Sequence, residues 1–260
     1  MIYYGHDLHF MREFREYELT GDVKKRQESE YWKSIEFSLF HKVAVSYYPS
    51  YVEEEAIHAV DETIPVKAIT AYVYEEFLQN LNKDFAKREG LLFVGGFAHP
   101  PNADAVLWFA KEVFPKIREQ IKVNFYIVGS KVTDEIKALE QPGNGIIVKG
   151  FVSEEELADL YRNCRIVVVP LRYGAGVKGK VVEAIYNGAP IVTTSVGSEG
   201  IPDVEKVLLV KDQPDEFAET VVELYKDEKR LEDLAEKTQV YIREHFSIDA
   251  AWDVIKAVSY

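Results

Sequence analysis

RIVVVPLRYGAGVKGKVVEAIYNGAPIVTTS, Arg165 to Ser195, joins a strand-length apolar run to a glycine turn, a helix-length amphipathic segment and a second apolar run. Continuous β-branched runs bounded by turn residues read as strands buried on both faces, and two of them linked through a helix read as a parallel crossover. The same alternation holds outward from this stretch. LLFVGG (91–96), VNFYIVG (123–129), IIVKGFV (146–152), RIVVVPL (165–171), PIVTTS (190–195) and KVLLV (206–210) are expected strands. Between them NADAVLWFAKEVFPKIRE, TDEIKALE, SEEELADLYRN and KVVEAIYNG are expected helices, followed by two acidic helices from Pro214 to about His245. Ser153 with Glu156 forms a capping-box pattern that marks one helix start. The expected fold class is α/β, a doubly wound parallel six-stranded sheet, and such sheets bind ligands beyond the carboxyl ends of their strands.

Residues 1–88 read as a partial α/β unit. IYYG ends like a strand; then come a charged helix over Val23 to Phe40, the strand KVAVS, a helix begun by Pro49 and Ser50, and the strand PVKAI. Two or three strands are marginal for an independent unit. This part is therefore expected to lean on its neighbour, to pair with another chain, or to lack an opening portion, and the last reading is preferred. An unpaired sheet edge is a template for association, so a homo-oligomer is expected. YEEFLQNLNKDFAKREG, polar and between the units, is the expected linker. The resulting division is 1–88, 89–245 and a closing segment 246–260.

With 260 residues, 47% hydrophobic composition and a formal net charge of −13, the chain is an ordinary globular protein. That charge argues against a nucleic-acid partner, since phosphate backbones are held by basic patches. Its single cysteine, Cys164, excludes an internal disulfide and suits a reducing compartment. No metal-ligand spacing is spelled, and no apolar run is long enough for a signal peptide or membrane span. A cytoplasmic location, with room for contact at a membrane surface, is expected.

The glycine turn satisfies two phosphate-binding patterns. Gly174, Gly176 and Gly179 spell G-x-G-x-x-G, while Gly174 to Lys180 spells most of the loop that cradles ATP. Val181 stands where that ATP loop needs a magnesium-binding hydroxyl, which argues against it. In a nicotinamide site, Glu199 would be the ribose-binding acid, but the glycines follow the fourth expected strand and not the first. Lys178 and Lys180 open a helix, where the macrodipole disfavours cations by roughly 0.3–1 kcal/mol each. Together with Arg172 they point to a bound anion, the alternative being a solvated turn. Glu183, one helical turn further in, suits the vicinal hydroxyls of a ribose, the alternative being a surface carboxylate. Trp108, Phe109 and Phe114, at helical spacing, are expected in the core.

PLRYGAGVKGKVVEAIYNGAPIVTTSVGSEGI, with GFVSEEELADLYRNCRIVVV, LLFVGGFAHPPNADAVLWF and HDLHFMREFREYELTGD, closely resembles the family-4 retaining glycosyltransferases of the GT-B fold. The resemblance covers nearly the whole chain and places the donor-binding domain at its C-terminal side. In that family two glutamates mark the donor site; the second, on the nucleotide ribose, matches Glu183, and the first falls at Ala175. Many members carry an arginine and a lysine after the first strand of this domain, where this chain reads FAHPPN. Lys178, Arg172 and Lys180 are then expected to hold the diphosphate, with backbone N–H groups freed by the glycines, Gly174 and Gly176 among them, adding donors to the same anion. Gly197, Ser198, Glu199 and Gly200, in VGSEG, match a donor-side loop whose backbone amides meet sugar or phosphate. His6, in YGHDLH, matches a histidine facing the donor sugar and with Lys178 is the expected catalytic pair. Asp7, His9 and Arg12 stand near it, with helix capping and surface pairing as their alternative.

The resemblance implies sugar transfer from a nucleotide-diphospho-sugar, with retention, in polysaccharide or glycoconjugate biosynthesis. The acceptor would be a sugar, or lipid-linked or protein-linked. No metal or other cofactor is required. FSIDAAWDVIKAVSY is expected to be a helix returning to the first unit. Two other readings stay open: a nucleotide-sugar-binding fragment or subunit without turnover alone, and a nucleotide-sugar epimerase on the same fold. The nicotinamide oxidoreductase is more distant.

Overall fold

The computed structural model describes residues 1–258. The first unit contains β1 (Ile2–Tyr4), α1 (His9–Thr20), α2 (Val23–Phe40), β2 (Val45–Tyr48), α3 (Tyr51–His58) and β3 (Val66–Ala68). The second begins with β4 (Leu91–Val94), α4 (Pro100–Trp108), a π-helical turn (Phe109–Val113) and α5 (Phe114–Gln120). It continues through β5 (Phe125–Val128), α6 (Asp134–Lys137), β6 (Ile146–Gly150), α7 (Glu154–Asn163), β7 (Ile166–Val169) and α8 (Gly179–Tyr186). Then come β8 (Ile191–Thr193), α9 (Ser195–Ser198), β9 (Leu208–Val210), α10 (Pro214–Lys226), α11 (Glu228–Phe246) and α12 (Ile248–Val258).

The second sheet has six strands in the order β6-β5-β4-β7-β8-β9, every neighbouring pair parallel. All four residues of β7 are buried, as a strand covered on both faces requires. The order runs outward one way from β4 and the other way from β7, so the loops after these two strands flank the topological switch point. The first sheet is a three-stranded parallel β1-β2-β3, over a small core of Leu8, Phe40, Tyr48, Ile57, Ile64 and Val66. Among the described residues no helix is long and apolar enough to cross a membrane.

Several local readings change. Residues 9–20, which carry no helix-start signal of their own, form α1. Its N-cap, Leu8, offers no side-chain bond. Glu36 of α2 does so instead, accepting from the amides of His9 at 2.9 Å and Phe10 at 3.2 Å. The expected single helix over 102–119 is broken by the π-helical turn, because Pro115 has no N–H to give the preceding turn. Phe109 and Phe114 are core residues, and Trp108 packs edge-on against Phe217. Ser153 caps α7 through the Glu156 amide at 3.1 Å. Cys164 is buried, which pushes its thiol up to about 12.

The segment expected as a linker is an ordered strap on the second unit. Arg88 is buried and donates to the carbonyls of Tyr161 and Cys164, both at 2.8 Å. Tyr74 donates its amide to the Phe246 carbonyl at 2.8 Å and pairs with Ser247, and its ring stacks on Tyr186 at 4.2 Å. The polar sequence does not announce this docking, because the carbonyls that Arg88 meets lie more than 70 residues away.

Candidate active site

The glycine turn between β7 and α8 lies at the switch point, facing the first unit. Gly176 has φ +75°, and a Cβ there would stand 3.0 Å from the His6 carbonyl oxygen and 3.3 Å from Asp7 Cβ. Only glycine combines that left-handed backbone with so close an approach. At Gly179 a Cβ would meet the Tyr72 hydroxyl at 2.6 Å. Two segments of the first half of the chain thus close over this turn.

Lys178 is the N-cap residue of α8, which has no side-chain cap. The lysine is 8% exposed and its ammonium donates to the Gly176 carbonyl. Burial lowers it to about 8, against the opposing pull of Glu199 and Glu53. Lys180 is likewise lowered to about 8, by burial and then by Lys178. Its stem passes Gly95, in the loop after β4, where a Cβ would lie 3.2 Å from the lysine Cε. Among the described residues no carboxylate lies within ion-pair distance of either lysine. Two desolvated cations at an uncapped helix N-terminus form a strong anion-binding field.

Glu183 follows on α8, its carboxyl raised by burial and opposed by Tyr161 and Lys180. The buried Tyr161 hydroxyl of α7 stands beside it, so the two form a polar pair between α7 and α8. Tyr74, stacked on Tyr186, is pushed up to about 12 by burial and then by Glu183.

The other expected residues separate. Arg172 is exposed and ion-paired with Asp104 of α4, with Nε 2.9 Å from a carboxylate oxygen, so it does not join the lysines. In VGSEG, the Gly197 amide is used by the Thr194 hydroxyl at 3.1 Å and the Ser198 amide by the Thr194 carbonyl at 3.1 Å. Both amides therefore serve the α9 turn. Glu199 is the outward-reaching group of this loop: its Oε2 meets Arg15 Nη1 at 2.5 Å, while Oε1 is buried without a partner. Gly200 has φ +74° and packs against Ser50. The His6 ring is exposed and edge-on to Tyr4 at 5.4 Å; its carbonyl, not its ring, touches the glycine turn. Asp7 pairs with Arg12 at 2.6 Å, and His9 with Glu36 at 3.1 Å.

Three residues enter the site that sequence reading did not assign. Arg15 of α1 bonds both Glu199 and the Gly174 carbonyl, the latter at 2.8 Å. Glu53 of α3 is 0% exposed and accepts from the Ser50 hydroxyl. Its Oε1 has no partner and lies 3.6 Å from where a Gly176 Cβ would be. His99, exposed in the FAHPPN loop after β4, is held toward its neutral form by partial desolvation and then by Lys180. The Ser50-x-x-Glu53 spacing is a capping-box signal for α3, but nothing local announces that this glutamate reaches the other unit.

Comparison with known proteins fits this geometry. A family model described as glycosyl transferases group 1 matches residues 88–227. An uncharacterized 44.6 kDa protein in the cps region of Klebsiella pneumoniae is 29% identical over 184 residues, 67% of this chain and 45% of that protein. The chain thus spans less than half the length of that curated relative. Among solved structures, sucrose-phosphate synthase from Thermosynechococcus elongatus superposes with a TM-score of 0.75 at 17% identity, over 98% of this chain and 66% of that one. TarM of S. aureus, solved with UDP and alpha-GlcNAc-glycerol, gives 0.74 at 13% identity, over 98% and 50%. The pneumococcal O-GlcNAc transferase GtfA, in complex with UDP and GlcNAc, gives 0.66 at 20%, over 87% and 46%. The architecture is GT-B-like, with a partial first unit.

Proposed function

Because the chain belongs to the group 1 glycosyl transferases, we propose that it binds a nucleotide-diphospho-sugar at the switch point and takes part in transfer of that sugar to an acceptor. The observation that carries this reading is a pair of lysines without carboxylate partners at the uncapped start of α8, Lys178 buried and Lys180 half-buried. Breaking the anomeric C–O bond accumulates charge on the departing diphosphate, and fixed cations in a desolvated site stabilise it where it develops. In this proposal Lys178 and Lys180 supply that charge in place of a metal, Glu183 accepts from the ribose hydroxyls, and residues around His6 face the sugar. Membership of family 4 and retention by same-face attack belong to the same proposal. So does a role in polysaccharide or glycoconjugate synthesis, supported by the relative in a cps region and by neighbours solved with UDP. Residues 1–88 would form the acceptor side, 89–245 the donor side, and copies of the chain would associate along the open edge of the first sheet.

A second reading is nucleotide-sugar binding without turnover by this chain alone. Calorimetric titration with UDP, GDP and dTDP, with NAD as the competing class, tests the site. Binding of at least one diphosphate at millimolar concentration or below is expected, and failure of all three overturns the assignment. Release of free nucleoside diphosphate from a nucleotide sugar, with an acceptor present, separates transfer from binding alone.

A further inference from the structure

Glu53 is a wholly buried carboxylate on the first unit that faces the anion-binding turn of the second. Its Oε2 accepts from the Ser50 hydroxyl at the start of its own helix, and its Oε1 is bonded to nothing. The charged and titratable groups facing it are few. Lys178 is the cation opposite, Glu199 an anion across the turn, Tyr4 of β1 the neighbouring phenol, and Asp7 borders the same glycine turn; Arg15 stands behind Glu199. Burial raises the Glu53 carboxyl, Glu199 adds to this, and Ser50 and Lys178 oppose it. The Ser50 hydroxyl and, less strongly, Lys178 favour the ionised form of Glu53; Lys178 reaches the same turn as Glu53 Oε1 through the Gly176 carbonyl, and the proposed diphosphate would share its charge.

Resting on the donor-site reading above, we propose that Glu53 takes up one proton from solvent when a nucleoside diphosphate occupies the crevice beside Lys178. The side chain has no exposed surface to turn toward, so it relieves an adjacent anion by neutralising and not by moving. Atom roles exchange at the same time. Lys178 Nζ, which donates to the Gly176 carbonyl in the free protein, turns to the phosphate. The new Oε1–H of Glu53 then serves the glycine turn, giving the orphan oxygen a partner. Glu53 is thus a positioning residue, coupling the first unit to the charge state of the donor site, and affinity for the diphosphate falls as pH rises.

The test is calorimetric titration of the full chain with whichever of UDP, GDP and dTDP binds most tightly, near neutral pH, in buffers of different ionisation enthalpy. The wild type should take up close to one proton more than Glu53→Gln, which should still bind. Binding by the wild type without extra uptake, or equal uptake by both proteins, overturns the inference and leaves the donor site standing. No binding by the wild type overturns the donor-site reading and this inference with it. If Glu53→Gln does not fold, infrared difference spectra of the wild type decide. Nucleotide addition should convert a carboxylate stretch into a protonated carboxyl stretch, and absence of that conversion sinks the proposal.

Discussion

Arg15 Nη1 lies 2.5 Å from Glu199 Oε2 and 2.8 Å from the Gly174 carbonyl, so one guanidinium on the first helix holds both loops that border the crevice of the second unit. Two hydrogen bonds at a partly exposed site contribute about 1–2 kcal/mol. Arg15→Ala should lower the melting temperature by a few degrees, at roughly 2–4 °C per kcal/mol for a chain of this size. A melting temperature unchanged within about one degree would show that the contact adds nothing.

Glu183→Ala should weaken nucleoside diphosphate binding by about 1–3 kcal/mol, the range for a lost hydrogen bond to a charged group. The dissociation constant from calorimetry is the readout. An unchanged value would make Glu183 a structural partner of Tyr161 and not a ligand of the ribose.

Lys178→Ala should reduce turnover by a larger factor than it raises the Michaelis constant, because charge on the leaving diphosphate is greatest in the transition state. Steady-state kinetics on a nucleotide sugar separates the two. An effect confined to the Michaelis constant would assign the lysine to uniform binding.

Lys180 destabilises the free protein while it is charged. Its folded value of about 8 lies below the ordinary 10.5, so the unfolded chain binds more protons between these limits and stability rises with pH across them. Lys180→Met should therefore melt higher than the wild type below pH 8, by a margin that shrinks as pH approaches 10.5. It should also bind the diphosphate less tightly. A melting difference that does not vary with pH would contradict burial of the charge as its cause.

Gly176→Ala combines a left-handed backbone with a clash at His6, whereas Gly143→Ala, at φ +81°, meets nothing within 4 Å. Each substitution carries strain of about 1–3 kcal/mol. Only the first should also impair nucleotide binding, since only it pushes the two units apart. Equal effects on binding would show that the approach of His6 to the turn has no bearing on the site.

The second sheet was legible because strands buried on both faces leave an unbroken apolar signature, as in Ile166 to Val169, and short runs of that kind have few other stable placements. The same reading missed α1, since the acceptor for its first amides is Glu36, on the next helix. At the site, the lysines and Glu183 were legible through the local grammar of glycine turn and helix start. Arg15, Glu53 and His99 were not, because their bearing on the turn comes from chain segments brought together by folding. Arg172 shows the converse. Its position in the motif is right, yet a carboxylate one layer away, Asp104, takes the guanidinium.

The strap also sets how the protein can open. From Tyr74 onward it is fastened to the second unit, and Tyr72 is wedged against Gly179. Ile69 is tied back to Tyr48 in the first sheet at 2.8 Å. On this side of the jaw the pivot is therefore confined to Thr70 and Ala71. Such a joint has little slack: were the two units to part, it would permit a swing but almost no sliding, and Arg15 would leave Glu199 as Glu53 leaves the glycine turn, in one motion.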